Sequence, residues 1–331
     1  MTRKIIDHCS TAVLLLNTGT PDSPEISDVS VYLSRLLGDK HVITLPYLLR
    51  KIVVNVFIIP LRCFRSSKRY LQLWNQFGGK FPLLHYGLSL QNNLQKRFNN
   101  SNVSIYLGMC YGHPSIESQI REIIEKQYKK LILLPLFPQY ASSSSGAVLA
   151  EVAKAINHNA LIPQIQTVHS FHDNSLYIKA LSEKIKAMDY ESYEMILFTY
   201  HSLPLSHVRK VVGTPFDYET ACRHTTKLIA ETLNLHGDRY KTVFQSQLSS
   251  RWLGPHTNET IVAEAKAGIK SMLIVSPSFV ADCLETVIEL GKEYKQLFLR
   301  HGGLRYAQVQ CLNDEPLWID CLETLIIREL E

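Results

Sequence analysis

Short apolar runs recur along the chain at Ala12–Leu16, Val103–Leu107, Lys130–Leu136, Met195–Tyr200, Lys241–Gln245 and Lys270–Val275. Runs of this length that do not alternate with polar residues fit parallel strands covered on both faces. Helical spacing of apolar positions lies between them, at Ser115–Gln127, Gly146–Ile156, Asp217–Leu233, Glu259–Ala267 and Phe279–Phe298. Strand and helix therefore alternate, which predicts a doubly wound α/β fold. Two stretches repeat each other: Leu-Ile-Leu-Leu-Pro135-Leu-Phe137 and Leu-Ile-Val-Ser-Pro277-Ser-Phe279, each followed by a polar loop and a helix. The chain thus reads as two similar halves, with the boundary near Pro163–Asp173, where an extended stretch crosses from one to the other.

The pattern also isolates candidate chemistry. His201 ends the apolar segment Met195-Ile-Leu-Phe-Thr-Tyr-His201, and strands of this kind present their last residues at the carboxyl edge of the sheet, where open α/β proteins place ligands. Further on, Asp282, Glu285, Glu289 and Glu293 follow at intervals of three, four and four, so a helix over 280–298 puts them on one face. Like charges so placed repel, and attraction of a cation accounts for the arrangement. Two plainer readings stand beside this: a histidine held structurally after a strand, and an acidic stripe facing water. The small and apolar run Ser276–Ala281 leads into the stripe, which favours an interior start for it.

Composition narrows the class. With 46% hydrophobic and 20% charged residues in 331, the chain has the makings of a folded globular protein of two ordinary domains, not a disordered one. Residues 1–10 contain no apolar stretch long enough for export, so the expected location is the cytoplasm, with the inner face of a membrane as a second site of contact. The seven cysteines are odd in number and scattered, without the spacing of a disulfide framework, a CxxC motif or a zinc knuckle.

The net charge of +5 conceals an asymmetry: from Lys40 to Ile116 ten Lys and Arg meet no Asp or Glu, leaving 5 − 10 = −5 for the remainder. Within this tract Leu45–Leu61 is the most apolar part, but Arg50, Lys51 and Asn55 interrupt it, which makes it a poor spanning helix. Such a segment suits an anionic membrane surface, or the mouth of a site for an apolar substrate bearing carboxylates, or a helix packed on the core with its charges in water. It is aliphatic where a nucleic-acid surface has stacking aromatics, so no nucleic acid is expected. Asn17-Thr-Gly-Thr-Pro-Asp22 lacks G-x-G-x-x-G, and Gly78-Gly-Lys-Phe81 lacks the Walker spacing, which disfavours dinucleotide and P-loop chemistry. The serine-rich loop Pro138–Gly146 fits either anion binding at a helix start or an ordinary cap.

Seven motifs, in order, resemble the ferrochelatases, enzymes that insert iron(II) into a porphyrin. They are Leu-Leu-Asn-Thr-Gly-Thr-Pro-Asp-Ser-Pro24, Leu-Gly-Met-Cys-Tyr-Gly-His-Pro-Ser-Ile116, Leu-Pro-Leu-Phe-Pro-Gln-Tyr140 with its serines, Tyr-His-Ser-Leu-Pro204, Phe-Gln-Ser246 with Trp-Leu-Gly-Pro255, Ser-Phe-Val-Ala-Asp-Cys-Leu-Glu-Thr286 and Cys-Leu-Asn-Asp-Glu-Pro-Leu-Trp-Ile-Asp320. The resemblance runs nearly end to end. It implies two similar Rossmann-like domains, 1–167 and 168–331, each a four-stranded parallel sheet flanked by helices, with the active-site cleft between them and a basic, apolar lip at 40–80.

It also implies roles. His201 and Glu285 take the places of the family's active-site histidine and glutamate, one as metal ligand and the other as proton acceptor, in either assignment; Glu289 and Glu293 continue from them as a path for metal or protons. Tyr111, Trp252, Leu253 and Ser144 match positions around the porphyrin. Iron(II) and the porphyrin are substrates, no tightly bound cofactor is implied, and the C-terminus lacks the cysteine cluster with which some relatives hold a [2Fe–2S] centre. The lip is the segment expected to touch a membrane and to meet the porphyrin's carboxylates. Cys110, the Ala141-Ser-Ser-Ser-Ser145 version of the loop and a shortened span between Gln245 and Trp252 depart from the family pattern near the substrate. A full basic lip favours protoporphyrin IX; coproporphyrin III insertion, cobalt insertion and a carrier without turnover are the alternatives.

Overall fold

The computed structural model describes residues 10–157 and 162–331; Cys9 and the leading segment read above lie outside the described residues. Each apolar run forms a strand where the pattern puts it. The first sheet contains β1 (Thr11–Asn17), β2 (Val103–Met109), β3 (Lys130–Pro135) and β4 (Gln164–Thr167), all parallel, in the order β2-β1-β3-β4. The second contains β5 (Met195–His201), β6 (Tyr240–Gln245), β7 (Ser271–Val275) and β8 (Arg305–Gln308), in the order β6-β5-β7-β8. The two halves share one topology, as the repeated motifs predict.

Two expectations change. Gln164–Thr167, read as part of an extended crossing, is the fourth strand of the first sheet. The helix expected from Phe279 begins only after Cys283: a widened π-helix spans Glu285–Tyr294 and an α-helix continues over Lys295–Arg300. Asp282 causes the delay. Its backbone N–H donates to Asn313 Oδ1 at 2.8 Å, and its carboxylate accepts from Asn313 Nδ2 at 2.8 Å and Thr286 Oγ1 at 3.1 Å, so the chain is fastened in a loop just before the helix.

Alternate side chains of the central strands enter different layers, as the pleat requires. Ala12, Leu14 and Leu16 pack outward under helices Ile116–Glu125 and Ala147–Ile156, while Met195 and Leu197 pack outward in the second half. Val13 and Leu15 of β1 and Ile196, Phe198 and Tyr200 of β5 instead face one continuous core, with Trp318 and Leu322 of the last helix, Pro316–Leu330. The two halves are therefore welded along their inner faces. The cleft opens above this weld, at the carboxyl ends of β1 and β5. Both are inner strands with neighbours leading away on either side, the arrangement that leaves a crevice in such sheets.

Candidate active site

A cleft of about 760 Å³ lies between the two sheets, lined by residues from both halves. Its floor begins with the turn after β1. Gly19 there has φ +99°, and a Cβ on it would come within 3.0 Å of the Gly112 backbone, so the turns after β1 and β2 interlock only with glycine. Backbone bonds from Cys110 and Tyr111 to Asn17 and Thr18, each 2.9 Å, close the joint.

His201 is the last residue of β5 and lines the cleft. Its Nδ1 lies 2.7 Å from the carbonyl oxygen of Ser202, which can only accept; Nδ1 therefore carries the hydrogen and Nε2 keeps a free lone pair. That is the tautomer a metal ligand or proton acceptor needs. The loop beneath is braced: Tyr218 donates to the His201 carbonyl at 2.8 Å, Ser202 Oγ donates to the Leu253 carbonyl at 2.7 Å, and the Leu253 N–H donates to Leu203 at 2.8 Å.

Glu285, Glu289 and Glu293 line the same cleft along the π-helix, whereas Asp282 is buried in its network with Asn313 and Thr286 and is no part of the stripe. Glu289 accepts from Ser246 Oγ at 2.8 Å and from Tyr294 at 2.8 Å. Burial nevertheless raises its pKa above the usual carboxylate value, with the charge of Glu285 adding to the effect. Glu293 is nearer the surface and pairs with Arg69 at 3.0 Å. The acids thus follow the π-helix along the cleft from Glu285 to a partly exposed Glu293.

The opposite character comes from the lip. Arg62, Arg65 and Arg69, with Leu61 and Leu73, contribute to the cleft wall from the helix Ile59–Gln76. Of the ten cations in the acid-free tract these three, spaced i, i+3 and i+7 on the helix, are the ones that reach the cleft. Ser144 and Trp252 also line the cleft, together with Phe137, Leu203, His207 and Leu248.

Two expected contact residues sit elsewhere. Tyr111 is buried behind the floor among Tyr32, Tyr70, Leu73, Phe81 and Ile288, and its hydroxyl donates to Asp39 at 2.9 Å. Leu253 belongs to the shared core and braces the His201 loop by its backbone. Both support the wall without lining it. Cys110 is packed beside this cluster, and burial pushes its thiol up to about 12, so it remains a neutral, unreactive packing group.

A cleft with apolar walls, an imidazole lone pair, a row of carboxylates and a rim of guanidinium groups can bind a flat apolar molecule that carries acids at its edge. It can also lead a cation inward. Comparison with known proteins agrees with that chemistry. The ferrochelatase family model matches residues 10–330. The ferrochelatase of Chromobacterium violaceum is 36% identical over 326 residues, covering 97% of this chain and 88% of its own length. That of Actinobacillus pleuropneumoniae is 37% identical over 318 residues, covering 95% and 97%. Among solved structures, SirB from Bacillus subtilis with Fe3+ superposes with a TM-score of 0.56 at 10% identity, covering 96% of this chain and 95% of that one, a likeness of fold.

Proposed function

The chain belongs to the ferrochelatase family, and from that premise we propose that it inserts iron(II) into protoporphyrin IX, with His201 and Glu285 handling the metal and the pyrrole protons. The observation that carries this reading is the His201 ring: its hydrogen is committed to the Ser202 carbonyl, so Nε2 is available to the cleft it lines together with Glu285. A free-base porphyrin must lose two N–H protons as the metal enters, and the metal must shed water. A neutral imidazole with a free ring nitrogen serves as an iron(II) ligand or as a proton acceptor. Glu285 takes the complementary part.

Glu289 and Glu293 extend the site towards solvent. A buried carboxylate with a raised pKa exchanges protons closer to neutrality than an exposed one, which suits Glu289 to relay those that leave the ring. Arg62 and Arg65 present cations to the propionates at the porphyrin's edge, while Trp252, Leu203 and Phe137 offer apolar surface to its faces. Walls that hold the ring out of plane would turn its nitrogen lone pairs towards the metal. The lip also offers the surface for membrane contact: Tyr47, Leu48, Phe57, Leu61 and Phe64 are all exposed beside Lys51, Arg62 and Arg65. No helix among the described residues is long and apolar enough to cross a membrane; the exposed apolar and basic side chains of the lip suit contact with the membrane's surface.

Anaerobic iron(II) insertion followed by absorbance, with protoporphyrin and coproporphyrin in parallel, tests the substrate. Protoporphyrin is expected to give the higher kcat/KM. A marked preference for coproporphyrin would overturn the substrate, and binding without turnover of either would leave a carrier in place of an enzyme.

A further inference from the structure

Outside the cleft lining, at the junction of the two halves, His172, Asp173 and His224 converge, each offering one ligand atom within 4.8 Å of the others. His172 and Asp173 lie in the loop that follows β4. His224 projects from the helix Tyr218–Thr232 of the second half. His172 Nε2 and His224 Nδ1 are 3.4 Å apart. That is long for a hydrogen bond between the rings. It matches the separation of two nitrogens held by one tetrahedral ion, roughly 3.3–3.4 Å for bonds of about 2.0–2.1 Å.

The His172 ring is also set in advance. Ser170 Oγ donates its hydrogen to the Pro138 carbonyl at 2.8 Å, so towards His172 Nδ1, 2.9 Å away, it can only accept. Nδ1 therefore carries the ring hydrogen, and the Nε2 lone pair points to His224. An acceptor behind the ring that fixes its tautomer and orientation is a regular feature of metal-binding imidazoles, and the Ser170 hydroxyl supplies one here. The backbone is pinned as well: Thr225, the residue after His224, donates from Oγ1 to the His172 carbonyl at 2.9 Å and accepts from Gln139 Nε2 at 2.9 Å.

We propose that His172, His224 and Asp173 form a site for a divalent ion of the zinc class, separate from the insertion centre. Two imidazoles and one carboxylate suit zinc, cobalt or nickel better than magnesium or calcium, and water completes the coordination. An ion there ties the loop after β4 to the helix that carries Tyr218, whose hydroxyl holds the His201 carbonyl. It braces the junction of the halves next to the catalytic histidine.

Zinc binding by equilibrium dialysis tests this, using the full chain with His201→Ala and Glu285→Gln so that the insertion centre does not compete. The expected result is one zinc per chain, bound at least ~10-fold more weakly once His224→Ala is added, and about 10-fold more weakly with Ser170→Ala. In the parent, zinc should also raise the midpoint of thermal unfolding, and the His224→Ala chain should lose that rise. His224 is exposed on a helix, where alanine is well tolerated, so the fold should survive the change. Equal zinc affinity with and without His224, or no zinc retained by the parent, would overturn the site.

Discussion

Glu289 is the residue in which stability and function oppose each other most openly. Hydrogen bonds from Ser246, whose single hydroxyl lies 2.8 and 3.0 Å from the two carboxylate oxygens, and from Tyr294 favour its charged form, yet burial outweighs them and raises its pKa. A carboxyl whose folded pKa lies above the unfolded value of 4.5 stabilises the fold fully below that value and loses the contribution as pH rises through the folded pKa. Glu289→Gln abolishes the titration. The variant's melting temperature should therefore gain on wild type as pH is raised from 4 towards 7, while its insertion rate falls; a pH-independent difference between the two would contradict the raised pKa. At this scale much was legible. The strand-end position of His201 and the four-residue spacing of Glu285, Glu289 and Glu293 put all four in the cleft. Asp282 misled because spacing assumes the helix has begun, and Asn313 and Thr286, which hold it back, lie outside the pattern. Tyr111 and Leu253 belong to family motifs that border the site, but a motif does not distinguish a wall residue from the one bracing it.

Among elements, the lip shows how a basic apolar stretch becomes a helix with an uncovered face. Arg50, which interrupts the apolar run in sequence, is buried: its guanidinium donates to the carbonyls of Gly38 at 2.8 Å, Leu45 at 2.6 Å and Ile43 at 3.3 Å. It fastens the lip's root and leaves Tyr47, Leu48, Phe57, Leu61 and Phe64 outward. Burying one such side chain is worth about 1.5–3 kcal/mol. Phe57→Asp with Leu61→Asp should weaken sedimentation with anionic liposomes at least ~10-fold, and raised salt should weaken the wild type; unchanged binding would remove the lip from the membrane contact. The widened helical turns at Val53–Ile58, Ser142–Gly146 and Glu285–Tyr294 escape a pattern reading, because periodicity does not separate α from π over so few residues. The last two also line the cleft, in keeping with the frequency of π-turns at functional sites. The edge strands β4 and β8 were missed for another reason. Gln-Ile-Gln-Thr and Arg-Tyr-Ala-Gln are four residues long and mostly polar, with Tyr306 alone buried, so pairing with β3 and β7, more than an apolar run, makes them strands.

For the whole molecule, the repeat legible in the sequence is a structural repeat, with strand order β2-β1-β3-β4 mirrored by β6-β5-β7-β8. What the pattern does not reveal is that the halves share a core, because both faces of β1 and β5 are apolar and nothing in sequence tells which face meets the other half. That weld gives the cleft a fixed base. The lip supplies cations from the first half, and β5 and the π-helix supply His201 and the acids from the second. The account stands or falls on that second set. Anaerobic iron(II) insertion into protoporphyrin by wild type, His201→Ala and Glu285→Gln is the direct measurement, with folding checked by circular dichroism. Each variant should lose at least ~100-fold in kcat, the lower end of what a positioned proton acceptor contributes, while still binding porphyrin. Insertion at the wild-type rate by both variants would contradict it.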